Sequence, residues 1–502
     1  MKSIKRIIAL LLTAVMTITM SVTAFAAEPS CSLTVNVKGG QNLKGQTISL
    51  YKLFDLSTSK SGETTNYAYT VSKTTGYKDA LKSALGTSLQ GTTDEDYANA
   101  VLNLGKDNSD AVQKFANDFT ATALKSRLSA TKTSNKITEP KTSFDFNNLT
   151  PGYYLVYVTG GKEIQSSLVT VEKETNTVNL KTEAPSITKT ADKDTVSIGQ
   201  VVKYTVTGSV PDTTGYSEYV YNIHDTLSNG LDFVNDETGT PTSDGNVKVT
   251  VAFKDATDAS TAPTTATIDT DNSKKMSLDL SEWVKASQAN KGKEFTVTYY
   301  AKVNKVADVS TKNNATLEYG NNPGETTTTT PSEAKTPTYP LDIKKFAKTD
   351  NKMLAGAKFK LYKDSVADEN VIKVTGSEGN YVVDPNSKNT VFESVASITG
   401  QNYNLHVNGL AAGTYYLVET EAPAGYNKLT ASIKVVIAKD GDNWTISKDG
   451  TPETDKIIDV ENSTGSILPS TGGMGTIAFT VVAAILVLGV AVSFIRDRKR
   501  EN

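Results

Sequence analysis

The run Leu410-Ala411-Ala412-Gly413-Thr414-Tyr415-Tyr416-Leu417-Val418-Glu419-Thr420-Glu421-Ala422-Pro423-Ala424-Gly425-Tyr426 has an echo earlier in the chain, Leu149-Thr150-Pro151-Gly152-Tyr153-Tyr154-Leu155-Val156. Each copy carries the β-branched and aromatic residues that suit a strand. Two related sandwich domains are expected, and they differ at one carboxylate: Tyr157 stands in the first copy where Glu419 stands in the second.

Outward from these copies, Thr, Val, Tyr, Ser and Gly dominate. Short alternating runs such as Val201-Val202-Lys203-Tyr204-Thr205-Val206 and Phe295-Thr296-Val297-Thr298-Tyr299-Tyr300 read as half-buried strands. Turn residues break them often, which predicts an all-β chain of antiparallel sandwiches. Residues 77–130 are the exception. Tyr77–Leu81 and the stretch 94–128, with Ala98, Val101, Leu102, Val112, Phe115 and Phe119, carry helical spacing. Helical insertions in the first domain are expected. Ala184-Pro185 marks one boundary, and a Thr- and Pro-rich stretch at 324–337 reads as a linker. Three tandem domains follow: 28–183, 184–323 and 338–464.

The chain has 502 residues, enough for about three domains. Its net charge of −3 gives no reason to expect nucleic acid as a partner. A single cysteine, Cys31, excludes an intrachain disulfide, and with two histidines it does not furnish a structural zinc site. Nothing supports the Cys–Gln pair of a thioester adhesin. His224 and Asp225 are adjacent, so on a strand they point to opposite faces and make no triad. Asp55-Leu56-Ser57-Thr58-Ser59 matches the DxSxS motif of von Willebrand A-type metal sites. The alternating strands and helices of that fold are missing around it, so a strand-ending turn is expected there. No metal and no cofactor are expected, and no constellation of catalytic residues marks a surface enzyme.

The ends carry addresses. Lys2, Lys5 and Arg6, the apolar run 7–15 and Ala24-Phe25-Ala26 make residues 1–26 a cleavable signal peptide. The apolar part is short and interrupted, which disfavours a membrane anchor. At the other end Leu468-Pro469-Ser470-Thr471-Gly472 precedes a membrane-spanning segment at 476–495 and a basic tail at 496–502. In that order the pentapeptide resembles the LPxTG sorting signal of Gram-positive bacteria. The resemblance implies cleavage between Thr471 and Gly472 by a sortase, a cysteine transpeptidase that holds Thr471 as a thioester until an amine attacks. The protein is then exported and joined to the peptidoglycan wall or to a polymer built on it.

The third domain, with Leu354-Ala355-Gly356-Ala357-Lys358-Phe359-Lys360-Leu361 and the run through Tyr426, resembles a collagen-adhesin B-type domain bearing the pilin E-box. The second, with Pro185–Lys189, Asp225–Leu231 and Asn313–Tyr319, resembles the isopeptide-forming middle domain of backbone pilins. Together with the two end signals, nearly the whole chain is similar to SpaA-type major pilins, with three Ig-like or collagen-adhesin-type sandwiches. The helical insertions match that pattern poorly.

This resemblance implies intramolecular bonds in which a buried lysine attacks a buried asparagine side chain beside a protonated acid, and ammonia leaves. Burial disfavours charge on amine and acid alike, and proximity lowers the barrier. Leu341, Ile343 and Lys345 share a strand face, so Lys345 rather than Lys344 points inward, towards Asn462, with Glu419 as the acid. Ile187 shares a face with Lys189, and Asn313 with Ala315, Leu317 and Tyr319. That pairs Lys189 with Asn313, rather than Asn314, assisted by Asp225. With Tyr157 in the acid position, no such bond is expected in the first domain.

The resemblance also implies a linking lysine near the end of the first domain, usually within Tyr-Pro-Lys, a motif this chain lacks. Lys181 holds the corresponding place, with Lys162 in Gly160-Gly161-Lys162 as the alternative. Lysine-to-threonine linkage is head-to-tail and makes fibres. The implied role is a structural shaft subunit whose partners are a sortase, further copies of itself, ancillary pilins, peptidoglycan and host surface ligands. The rival reading is a monomeric wall-anchored adhesin or a minor pilin.

Overall fold

A computed structural model describes residues 30–37, 42–61, 64–107, 109–159, 166–180, 184–213, 216, 218–255, 261–320 and 326–465. The chain divides into two compact units, one formed by residues 1–339 with 409–411 and the other by 340–408 with 412–502. Strands dominate both, as the alternating sequence runs require.

The first unit begins with two sheets. One has the order Ser143–Leu149, Cys31–Asn36, Thr175–Asn179. The other runs Thr64–Val71, Ile48–Ser61, Gly152–Val158, Ser167–Val171. Leu33, Val35, Phe146 and Val178 of the first sheet pack with Ile48, Leu50, Tyr154, Val156 and Val158 of the second. The second sheet's opposite face, with Tyr51, Leu53, Leu155 and Tyr157, is also buried, against helices. Burial on both faces explains why 152–158 reads as an almost unbroken apolar run rather than an alternation.

The helical spacing resolves into α1 (Tyr77–Leu85), α2 (Asp94–Asp107) and α3 (Ser109–Lys125). Thr93 and Asp96 open α2 with a reciprocal cap. The Thr93 amide donates to Asp96 Oδ2 at 2.8 Å, and the Asp96 amide donates to Thr93 Oγ1 at 3.2 Å. Tyr77, Leu81, Phe115 and Phe119 bring the apolar faces of α1 and α3 onto the sheet.

The DxSxS stretch is not the strand-ending turn its sequence suggested. It lies inside Ile48–Ser61, with Asp55 opposite Thr70 and Ser59 opposite Asn66. The β-branched and aromatic partner strand Thr64–Val71 carries the ladder through it.

Further along the same unit, Leu231–Val234, Glu294–Val303, Val201–Ser209 and Thr188–Ala191 form one sheet, with Thr250–Phe253 also paired to Glu294–Val303. The other sheet is ordered Asn246–Lys248, Thr265–Ile268, Lys275–Asp279, Tyr221–Leu227, Lys312–Gly320. Burial alternates along Glu294–Val303, with Phe295, Val297, Tyr299, Ala301 and Val303 inward.

Within the stretch 324–337, whose composition suggests a linker, residues 326–335 carry strands instead. Thr326–Thr328 and Ser332–Lys335 both add antiparallel to Lys312–Gly320. Threonine favours extended backbone, and Pro331 falls between the two strands, where no ladder hydrogen bond is asked of it.

In the second unit the sheet order is Val374–Ser377, Asn380–Val383, Leu405–Leu410, Tyr339–Ala347, Ile457–Asn462. The facing sheet runs Phe392–Glu393, Lys358–Lys363, Gly413–Glu421, Ile433–Asp440, Asn443–Lys448, Thr451–Glu453. The opening and closing strands of this domain lie side by side in parallel, Lys345 opposite Val460 and Ala347 opposite Asn462. No helix among the described residues is long and apolar enough to cross a membrane. The expected signal peptide, residues 1–26, and the apolar stretch 476–495 lie outside the described residues.

Candidate functional site

Two clusters of lysine, acid and asparagine are fully buried. In the first unit, Lys189 enters from Thr188–Ala191, while Asp225 and Asn313 enter from neighbouring strands of the facing sheet. Asp225 lies opposite Ala315, and Leu227 opposite Asn313. All three residues are at most 5% exposed. Lys189 Nζ is 2.5 Å from Asp225 Oδ2 and lies 4.9 and 4.7 Å from the ring centres of Tyr204 and Tyr299. The Tyr299 hydroxyl accepts from Lys189 Nζ and donates to Asp225 Oδ2, and Asn313 Nδ2 donates to it at 3.3 Å. Burial holds the Lys189 amine below its ordinary value, opposed by the charge of Asp225. Asn314 is half-buried on the other strand face.

The second cluster is wired differently. Lys345 and Asn462 belong to neighbouring strands of one sheet, and Glu419 reaches them from the other. Lys345 Nζ is 3.4 Å from Glu419 Oε1 and donates to the Val460 carbonyl at 3.3 Å. Asn462 Nδ2 donates to both Glu419 oxygens, at 3.2 and 3.1 Å, and to the Asn427 carbonyl at 2.8 Å. The Leu429 amide donates to Glu419 Oε2 at 2.8 Å. Burial lowers the Lys345 amine to about 8 despite the nearby Glu419. Lys344, on the opposite face, lies 5.0 Å from the centre of the Phe346 ring.

Among the described residues both asparagines leave the same atom without a partner: Asn313 Oδ1 and Asn462 Oδ1 are buried and accept no hydrogen bond, and neither does Asp225 Oδ1. Nearby geometry is firm. Asn404, itself fully buried, accepts from the Lys345 amide at 2.7 Å and donates to the Lys345, Leu354 and Val395 carbonyls.

Neither Tyr299 nor Asn404 was singled out in the sequence. Tyr299 sits in an ordinary alternating strand, where a tyrosine reads as core, and Asn404 is a loop asparagine like many others. In the first domain Tyr157 is buried among Tyr51, Leu155 and the helices, and its hydroxyl lies 2.9 Å from that of Tyr216. Lys162, Lys181 and the pentapeptide Leu468–Gly472 fall outside the described residues. His224 and Asp225 do face opposite ways: His224 meets Ser277 and Glu318, on the half-exposed side.

Residues 340–452 match the family model described as the SpaA prealbumin-like fold domain, and residues 461–502 match that of the LPXTG cell wall anchor motif. The chain is therefore a cell-wall-anchored surface protein carrying a SpaA-type domain. Its similarity among solved structures runs to major pilins. The T6 backbone pilin of serotype M6 Streptococcus pyogenes is 16% identical, over 88% of this chain and 100% of that one, with a TM-score of 0.44. The Corynebacterium diphtheriae major pilin SpaA is 17% identical, over 86% and 100%, with a TM-score of 0.43. The full-length major pilin SpaD from Corynebacterium diphtheriae is 18% identical, over 87% and 98%, with a TM-score of 0.40. No curated protein matches the chain in sequence.

Proposed function

We propose that this protein is the shaft subunit of a covalently polymerised surface pilus, braced internally by Lys189–Asn313 and Lys345–Asn462 isopeptide bonds. The observation that carries the reading is the pair of buried clusters, each bringing one amine, one acid and one carboxamide together away from water.

In each cluster the lysine amine, in its neutral form, attacks the asparagine Cγ. The acid, Asp225 or Glu419, assists the transfer of one proton from the amine to the departing carboxamide nitrogen. The C–N bond to the old amide nitrogen breaks, and ammonia leaves. Lysine burial favours the neutral nucleophile, and the fixed sheet positions supply the orientation. The protein turns over no external substrate; these are single self-crosslinking events.

Polymerisation belongs to a sortase, which cuts after Thr471 and passes that threonine to Lys181 of the next copy. Lys162 is the alternative acceptor. Ancillary pilins, peptidoglycan and host surface ligands complete the partner set of such a fibre. The test is a denaturing gel of wall extracts from wild type and a Lys181→Ala strain. A wild-type ladder of very large species that collapses to monomer in the variant is the expected result. A ladder that survives moves the linkage to Lys162. A wild-type monomer, with its sortase present, replaces the shaft reading with that of a monomeric wall-anchored adhesin.

A further inference from the structure

The two buried clusters share reactants but differ in how the acid reaches the leaving group. Glu419 touches Asn462 Nδ2 with both oxygens, at 3.2 and 3.1 Å. Asp225 makes no hydrogen bond to Asn313 among the described residues. The group that touches Asn313 Nδ2 is the Tyr299 hydroxyl, at 3.3 Å, and the same oxygen touches Lys189 Nζ and Asp225 Oδ2. One phenol therefore contacts the nucleophile, the leaving nitrogen and the acid at once.

We propose that Tyr299 is a catalytic residue of the Lys189–Asn313 reaction, relaying the proton from the attacking amine to the departing nitrogen. This deepens the isopeptide reading above and rests on it. Neutral Lys189 Nζ bonds to Asn313 Cγ and must lose one proton, while Nδ2 must gain one to leave as ammonia. Tyr299 takes the first proton on its oxygen and gives its own hydroxyl proton to Nδ2, ending as it began. Asp225 orients the hydroxyl through Oδ2 and is likewise unchanged at the end.

The surroundings suit a phenol that shuttles without ionising. Tyr299 is fully buried, and burial followed by the charge of Asp225 keeps its hydroxyl well above the ordinary tyrosine value. Its ring stacks on Tyr204 with centroids 6.0 Å apart and tilts against Phe233 at 6.3 Å, so the oxygen is held in place. Tyr204 provides an internal contrast. Its ring lies equally near Lys189, but its hydroxyl points to Thr336 Oγ1, 3.0 Å away. Glu419, by contrast, meets Asn462 directly.

The test follows the ectodomain, residues 27–467, as wild type, Tyr299→Phe, Tyr204→Phe and Lys189→Met. Intact mass and the crosslinked peptides after digestion are read at intervals from synthesis onward. In Tyr299→Phe the Lys345–Asn462 crosslink should form as in wild type, while the Lys189–Asn313 crosslink slows by about a hundredfold, the usual size of a proton-transfer contribution. Tyr204→Phe should form both at the wild-type rate.

Trypsin resistance of the middle domain, in the same samples and against uncrosslinked Lys189→Met, reads folding. Slow crosslinking in Tyr299→Phe that is as resistant as Lys189→Met supports the relay; slowing only in digestible protein overturns it. A wild-type rate in Tyr299→Phe, or equal slowing in Tyr204→Phe, overturns it too. A wild type without the Lys189–Asn313 crosslink overturns the isopeptide reading itself, and the relay falls with it.

Discussion

Lys345 occupies a position with no exposure to solvent, a place lysine rarely takes unless something compensates. With Glu419 at 3.4 Å, compensation is partial: burial still lowers the amine to about 8. The sign of the pH dependence follows. In a chain that cannot form the bond, such as Asn462→Ala, the folded state carries the full cost of the buried ammonium below about pH 8. That cost is relieved as pH rises towards the ordinary lysine value of about 10.4. Thermal melting of Asn462→Ala should therefore climb between pH 8 and 10, and the rise should vanish in Lys345→Met/Asn462→Ala.

Asn404 belongs to the same scale. It makes four hydrogen bonds to main-chain groups around Lys345. Asn404→Ala leaves several buried groups unpaired, at about 1–3 kcal/mol each. A loss of at least 3 kcal/mol in denaturant unfolding of an uncrosslinked background is expected. Strand parity alone distinguished Lys345 from Lys344 and Asn313 from Asn314, because side chains alternate without exception along a flat strand. It could not reveal Tyr299 or Asn404, whose importance lies in contacts from distant segments.

At the scale of elements, the repeated strand shows how far a local pattern reaches. Gly152–Val158 and Gly413–Glu421 share the run Tyr-Tyr-Leu-Val, and both are strands, as that run implied. In the later copy the face bearing Tyr415, Leu417 and Glu419 is buried with Lys345 of the facing sheet. In the earlier copy the matching face, with Leu155 and Tyr157, is covered by α1 and α3. Among the described residues that face packs against the aromatic and apolar side chains of the helices, surroundings that suit a tyrosine better than a carboxylate.

Tyr157→Glu should destabilise the first domain by about 3–5 kcal/mol, the cost of an uncompensated buried charge. It should add no further loss of ammonia to the mass. The helices were visible in the sequence through their apolar spacing, but the face they cover was not. The Thr-rich stretch was misread because composition alone does not reveal an open strand edge nearby.

On the scale of the whole molecule, each proposed bond would close a loop of on the order of a hundred residues. By analogy with disulfides, constraint of the unfolded chain is then worth about 4–5 kcal/mol per bond. Chemistry of this kind suits a chain whose single cysteine rules out an internal disulfide. Glu419→Gln should lose the Lys345–Asn462 crosslink and about that much stability in its domain, with Lys189–Asn313 unaffected. The C-terminal sorting signal was readable because anchoring is written in contiguous residues, and the matched wall-anchor motif at 461–502 agrees with it. The sandwich arrangement was legible from alternation, while the different hydrogen-bond partners of Lys189 and Lys345 depend on sheet pairing.

The most direct measurement is the intact mass of the ectodomain, residues 27–467, under denaturing conditions. A mass lower than that of the sequence by two ammonia molecules is expected, with Lys189–Asn313 and Lys345–Asn462 recovered as crosslinked peptides. A mass equal to that of the sequence would contradict it.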